Sequence, residues 1–217
     1  MNFTEETGPI RTGMIAVLLL AAGESKRMGR NKLVMLLQGK PLASRALENL
    51  LAAAADRIIV VLGHQAEETA RAMEPLISRH PDRVTTVVNK EFARGMSTSI
   101  RAGITALPEE CQGALIALAD EPFVEPQIVD ALINAYRGCK GDILVPTFKG
   151  RMGHPVLFDR RYFPELAALK GDVGARSVVK AHEQDMIRLE LNRPSVLLDV
   201  DDIETYQRLT EKREGPA

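Results

Sequence analysis

The sequence predicts an α/β protein with a doubly wound, mostly parallel sheet and a small β-hairpin and helical insertion late in the chain. Two observations predict it. Strand-like apolar runs centre on residues 15–21, 57–63, 83–89, 113–119 and 142–148. Continuous runs such as residues 15–21 suit parallel strands buried on both faces. Between them lie longer stretches of helical period, and this alternation argues for βαβ units. In such sheets ligands bind at the carboxyl ends of the strands. The segments after Leu20, Asn89, Ala119 and Phe148 should therefore converge on one rim.

The elements follow in order. Residues 15–21 form the first strand, closed by a loop from Gly23 to Lys32. Pro41 opens a helix running to about residue 55, proline being well placed in a first turn. Residues 57–63 form a second strand. Residues 66–80 read as a helix that Pro75 kinks or ends early. A strand over 83–89 leads to a helix over 95–107, with Ser97 a possible cap. The strand over 113–119 ends at Asp120, and a helix contains Asp130 to Tyr136. After the strand over 142–148 the pattern changes. Residues 149–158 read as a turn and hairpin, then two short helices fall near 160–169 and 173–182. Late strands are expected at 186–191 and 195–200. An amphipathic helix over 201–212 closes the domain, with Asp201 or Asp202 near its N-terminus.

Composition excludes several function classes. Of 217 residues, 45% are hydrophobic and 26% charged, ordinary for a soluble globular chain. The net charge of −1 gives no field favouring nucleic acid. With no Trp, 3 Tyr and 6 Phe there is no aromatic stripe for stacking bases. Cys111 and Cys139 lack zinc-site spacing and read as thiols in a reducing compartment. Residues 1–13 (MNFTEETGPIRTG) are polar and acidic, unlike a signal peptide, and read as a disordered extension. The apolar run over 14–22 is too short to span a bilayer. The expectation is a cytoplasmic protein with one domain over 14–212 and no nucleic-acid or membrane partner.

The loop LAAGESKRMGRNK (20–32) is the most informative stretch. Gly23 and Gly29 allow tight turns and close approach to a ligand. Arg27 and Lys32 supply two cations, and Arg30 a third. Backbone amides with a few cations are what would hold a polyphosphate. Neither the P-loop pattern nor the G-x-G-x-x-G fingerprint is present. A second signal is LADEPFV (118–124), which puts Asp120 and Glu121 just beyond a buried strand. A carboxylate there suits Mg²⁺, a hard cation that takes oxygen ligands and keeps several waters. The late cluster LLDVDD (197–202) places Asp199 and Asp201 at alternate positions, on one side of a strand. Either could approach the same ion, and Asp201 is favoured.

The pattern L-A-A-G-x-S-x-R-M-G-x-x-K resembles the signature of the MobA-like nucleotidyltransferases, and most of all the molybdenum cofactor cytidylyltransferases. The likeness runs from about Ile15 to Leu209 and implies a Rossmann-like fold of the nucleotide-diphospho-sugar transferase type. It implies a loop that wraps the NTP phosphates, with Leu20, Ala21, Ala22, Gly23, Ser25, Arg27 and Lys32 binding the nucleotide. Ala21-Ala22-Gly23 resembles the CTP-using members, where GTP-using members tend to carry Ala-Gly-Gly. Asn89, Gly95 and Ser99 match positions near the base and ribose, and Asp120 matches the metal-binding aspartate. Ala119 and Glu121 depart from the Gly-Asp-Gln-Pro often found there. GRMGHPVLF (150–158) and LKGDVGARSVV (169–179) match segments that shape the acceptor site, offering Gly153, His154 and Arg176.

The resemblance thus implies a Mg²⁺-dependent transfer of CMP from CTP to the terminal phosphate of molybdopterin, with Lys32, Arg27 and Asp120 as the catalytic groups and Asp120 and Asp201 holding the metal. A molybdoenzyme of the xanthine dehydrogenase type would be the downstream partner. Two alternatives stand beside it: a transferase of the same fold using GTP or a sugar phosphate, and a nucleotide-binding chaperone for molybdenum cofactor. Turnover with four NTPs separates the first, and pyrophosphate release the second.

Overall fold

In the computed structural model, which describes residues 11–211, the chain runs as follows. Strand β1 (Met14–Ala21) leads through the loop to a two-stranded ribbon, β2 (Leu36–Leu37) and β3 (Lys40–Pro41), then to α1 (Leu42–Leu51). Next come β4 (Arg57–Leu62), α2 (Ala66–Ile77), β5 (Val84–Val88), α3 (Met96–Thr105), β6 (Cys111–Leu118) and α4 (Pro126–Arg137). The late region comprises β7 (Ile143–Phe148), β8 (Arg151–Met152), β9 (Val156–Asp159), α5 (Phe163–Ala168), α6 (Arg176–Ala181), β10 (Met186–Glu190) and α7 (Ile203–Glu211).

The main sheet has the order β10-β7-β9-β6-β1-β4-β5, with β8 paired to β7. Strands β5, β4, β1 and β6 are parallel, as are β7 and β10, while β9 runs antiparallel between β6 and β7. From β1 the chain steps outward to β4 and β5, then crosses to the far side of β1 to lay down β6. The order reverses between β1 and β6, and a crevice opens at such a switch point beyond the carboxyl ends.

Two cores explain the unbroken apolar strands. Val17 and Leu19 of β1 pack with Leu47 and Leu50 of α1 and with Leu132 and Ile133 of α4. The intervening Leu18 and Leu20 face the other way, against Ile100 of α3, Leu166 of α5 and Val178 of α6. Both faces of the strand are therefore covered, and every residue from Ile15 to Leu20 is 8% exposed or less.

Several sequence expectations need correction. Residues 195–200 form no strand: Pro194–Leu197 is a 3₁₀ turn, closed by Leu198 N–H donating to the Ser195 carbonyl. Proline favours the first position of a helical turn, and the edge beside β7 is already taken by β10. Helix α2 continues through Pro75 and ends at Ile77, short of residue 80. Helix α1 ends at Leu51, before residue 55. Ser97 does not cap α3, whose cap position is Gly95; Ser97 is buried and donates to the Gly171 carbonyl at 2.6 Å. Of the start expected to be disordered, residues 1–10 lie outside the described residues. Arg11 is held to Asp142 at 2.5 Å and stacks 4.5 Å above the Tyr136 ring. Asp202 does serve the last helix, accepting from Thr205 N–H at 2.7 Å.

Candidate functional site

The loop after β1 is held by its own short contacts. Ser25 and Gly29 take left-handed backbone conformations (φ 51° and 64°), bending the chain around a 3₁₀ turn at Lys26–Met28. Met28 is 4% exposed and anchors that turn in the protein. Lys32 N–H donates to the Ser25 hydroxyl at 3.3 Å and closes the loop. Asn31 fixes its end: the side-chain oxygen accepts from Leu33 N–H, and the amide group donates to Glu68 and Thr69 of α2, each at 3.1 Å.

The Lys32 ammonium points across the switch point. It lies 2.5 Å from Asp120 at the end of β6 and 2.7 Å from Asp201. Arg27 meets the other oxygen of Asp201 at 2.7 Å. Val200 N–H donates to the Asp120 carbonyl at 2.9 Å, which ties the two acidic segments together. Burial opposes charge on Lys32, but Asp120 and Asp201 outweigh it and raise its pKa. Burial likewise opposes charge on Asp201, and Lys32 and Arg27 reverse that and lower its pKa. Asp199 forms no such ion pair among the described residues; although the residue is exposed, partial burial of its carboxyl and the nearby charges of Asp201 and Asp120 push its pKa up.

These groups line a cleft of about 560 Å³ over the carboxyl ends of β1 and β6. That volume suits a small-molecule ligand. Of the residues singled out in the sequence, Leu20, Ala21, Ala22, Gly23, Ser25, Arg27, Lys32, Gly95, Ser99, Asp120 and Asp201 all line it. Arg30 instead faces a separate groove with Leu36 and Tyr206. Asn89 is buried and does not line the cleft. Its amide group donates to Thr98 at 2.8 Å and to Ser99 at 3.0 Å, and its oxygen accepts from Glu91 N–H. Asn89 therefore orients the start of α3 rather than presenting itself to a ligand.

The acceptor candidates separate. Gly153 is packed against the 3₁₀ turn, where an added Cβ would meet the Val196 carbonyl oxygen at 2.1 Å. It is a close-approach position, not a cleft wall. His154 Nδ1 lies 2.7 Å from Glu121, whose side chain is 6% exposed. Burial raises the Glu121 pKa, against the pull of His154. Arg176 is exposed at the start of α6, outside the residues that line the cleft. Sequence reasoning missed Asp172, which the same segment brings into the cleft wall. Its carboxylate accepts from Met96 N–H at 3.2 Å, capping α3 from 76 residues away. Phe92, Arg94 and Met96 were also missed, and nothing in their spacing marks them.

Residues 17–186 match the MobA-like NTP transferase domain. The chain belongs to this family. It is 29% identical over 205 residues to the purine catabolism protein PucB of Bacillus subtilis, covering 91% of this chain and 96% of that one. It is 27% identical over 170 residues to a Methanosarcina mazei protein named "Probable molybdenum cofactor guanylyltransferase", covering 76% and 73% of the two chains. The structure superposes on Rv0371c of Mycobacterium tuberculosis with TM-score 0.78 and 28% identity, over 94% of this chain and all of that one. A manganese complex of Rv0371c matches with TM-score 0.75 and 25% identity, over 93% and 100% of the chains. As a MobA-like protein the chain is a nucleotidyltransferase, and the doubly wound α/β fold agrees. Among the described residues no helix is long and apolar enough to cross a membrane.

Proposed function

We propose that the chain transfers CMP from CTP to the terminal phosphate of molybdopterin, with Mg²⁺, and releases pyrophosphate. The observation that carries this is the convergence of Lys32, Arg27, Asp120 and Asp201 in a cleft closed by the phosphate-type loop. Ala21-Ala22-Gly23, which resembles the CTP-using members, supports the choice of base.

The donor set fits Mg²⁺. Oxygens of Asp120 and Asp201 converge on one point, now marked by the Lys32 nitrogen. Two carboxylates, with substrate phosphates and water completing the shell, suit this hard ion. Bound there, it would neutralise charge on the transferring phosphoryl oxygens.

The chain itself supplies position and charge. The loop from Ala22 to Lys32 cradles the triphosphate, and Asn31 fixes that loop to α2. An oxygen of the acceptor phosphate attacks the α-phosphorus, the bond to the α–β bridging oxygen breaks, and pyrophosphate leaves with that oxygen. Lys32 and Arg27 stabilise the charge that develops on the phosphates. The acceptor phosphate is already ionised at neutral pH, so no general base is required. Arg176 and His154, by the family resemblance, would serve the acceptor side.

The name of the Methanosarcina mazei relative favours a second reading, guanylyl transfer from GTP. Calorimetric titration of CTP, GTP, ATP and UTP, with and without Mg²⁺, tests both. Mg²⁺-dependent binding with CTP preferred supports the cytidylyl reading and justifies an assay with molybdopterin. A preference for GTP moves the assignment to guanylyl transfer, and absence of binding by every NTP sinks it.

A further inference from the structure

The cleft already contains a cation where a metal would sit. Lys32 Nζ lies 2.5 Å from Asp120 Oδ2 and 2.7 Å from Asp201 Oδ1. These are the two carboxylates that fit the metal. The Lys32 side chain is only 11% exposed, so its ammonium has little water to fall back on. Asp120 and Asp201 are the only hydrogen-bond acceptors of that ammonium among the described residues. Arg27 offers no substitute role: its side chain is 70% exposed and reaches Asp201 alone.

We infer that Lys32 holds the metal position closed until a nucleotide arrives, so that the divalent ion binds only together with the nucleotide phosphates. The inference rests on the nucleotidyltransferase reading of the cleft and adds an order of binding to it. A divalent ion entering alone must expel the ammonium, leaving a buried cation without a counter-charge next to another cation. Both effects oppose entry, because a desolvated charge needs a partner. A triphosphate removes the obstacle. Its oxygens accept Lys32 and give the ion further ligands, and the two carboxylates become free together. Lys32 would then pass from Asp120 and Asp201 to the phosphates in one exchange of partners. The arrangement ties metal loading to substrate and leaves no bare metal in the empty cleft.

The test is Mn²⁺ binding to the full-length chain, followed by electron paramagnetic resonance of the free ion, without nucleotide and with each of the four NTPs. Wild type is expected to bind Mn²⁺ alone at least about tenfold more weakly than Lys32→Met, a factor equal to about 1.4 kcal/mol. Lys32→Met keeps the aliphatic stem and removes the charge. Adding the accepted NTP should tighten Mn²⁺ binding to wild type by more than it does for Lys32→Met. Equal Mn²⁺ affinity of the two proteins without nucleotide overturns the inference, as does wild-type binding that no NTP improves while an NTP is bound. If Lys32→Met fails to fold, ¹⁵N-lysine spectra of wild type decide instead. The Lys32 ammonium signal should stay fixed with Mg²⁺ alone and move with Mg²⁺ and NTP; full movement with Mg²⁺ alone overturns the proposal. If no NTP binds at all, the transferase reading fails separately, and the comparison of the two proteins without nucleotide still judges the role of Lys32.

Discussion

The Lys32 ammonium sits 2.5 Å from Oδ2 of Asp120, joining residues 88 positions apart in the chain. One belongs to the loop after β1 and the other to the end of β6, so the contact bridges the point where the strand order reverses. A charge pair this sheltered is tolerated only when each member is well partnered. Asp201 completes the arrangement from the segment before α7.

Removing either end of that contact should cripple turnover without unfolding the sheet. Lys32→Ala and Asp120→Ala are each expected to raise the barrier by about 2.7–4 kcal/mol, the effect of losing one preorganised electrostatic group. Steady-state kcat with the accepted NTP and acceptor measures it. A variant within about threefold of wild type, under 1 kcal/mol, would take that residue out of the mechanism.

The metal-binding role should divide Asp201 from Asp199. Asp201 shares the Lys32 contact, whereas Asp199 is exposed and has no such ion pair among the described residues. Asp201→Asn is expected to raise the Mg²⁺ concentration for half-maximal rate by at least about tenfold, since even partners of metal ligands matter that much. Asp199→Asn should shift it by less than about threefold, as for an exposed charge. Titrating Mg²⁺ at fixed NTP checks both, and the reverse ranking would exchange their roles.

The central sheet was legible because its strands are covered on both faces, so Ile15 to Leu20 read as one apolar run. The 20–32 loop was legible because glycines and cations follow that run directly. Residues 195–200 misled for the opposite reason. Their apolar residues pack as a 3₁₀ turn against Gly153, and no local pattern reveals that β10 has taken the sheet edge. The α3 cap was hidden because its acceptor, Asp172, arrives from a distant loop, which a rule about neighbouring residues cannot see. Asn89 shows the limit of the resemblance. Its position near the nucleotide was inferred, but whether its side chain turns outward depends on Thr98 and Ser99 across a buried contact.

Glu121 offers a stability prediction. It is buried beside His154, and its Oε2 has no hydrogen-bond partner among the described residues. Burial disfavours the charged form of this carboxyl, and the uncharged amide of glutamine avoids that cost while keeping the contact to His154. Glu121→Gln should melt at or above the wild-type temperature. Glu121→Ala leaves His154 without its partner and opens a cavity, and should lose about 3 kcal/mol. Calorimetric melting of both variants decides, and a Glu121→Gln melting point well below wild type would show the carboxylate itself to be required.

Glu190 controls the turn between β7 and β8. Its carboxylate accepts from the Thr147 hydroxyl at 2.7 Å, Lys149 N–H at 2.6 Å and Gly150 N–H at 3.3 Å. The Thr147 contact first, then burial against it, then the two amides, set the balance that lowers its pKa. The stabilising contribution is therefore complete above the ordinary glutamate value and is lost as pH falls through the lowered folded value. Glu190→Gln should speed hydrogen exchange of the Lys149 and Gly150 amides at neutral pH. Unchanged exchange at both amides would show that the turn holds without the carboxylate.

Two glycines on the cleft should both lose NTP affinity on gaining a methyl group, but only one of them should lose stability. Gly95 has φ 109° and ψ 170°, a region that side chains scarcely enter, and a Cβ there would meet the Asp172 backbone at 2.6 Å. Gly95→Ala must strain the backbone, at about 1–3 kcal/mol, and push the Asp172 loop off the start of α3. Stability and NTP affinity should fall together. At Gly23 an added methyl would meet no atom within 4 Å, and the residue faces the open cleft. Gly23→Ala should leave the melting temperature close to wild type, because the methyl displaces only solvent. It should still weaken NTP binding, because on the proposed reading of the cleft the methyl would stand where the phosphates approach the backbone. Calorimetry of melting and of NTP binding on the two variants reads both effects. If Gly23→Ala binds NTP as wild type does, the phosphates do not lie against that turn, and the nucleotide must be placed farther toward Phe92 and Met96.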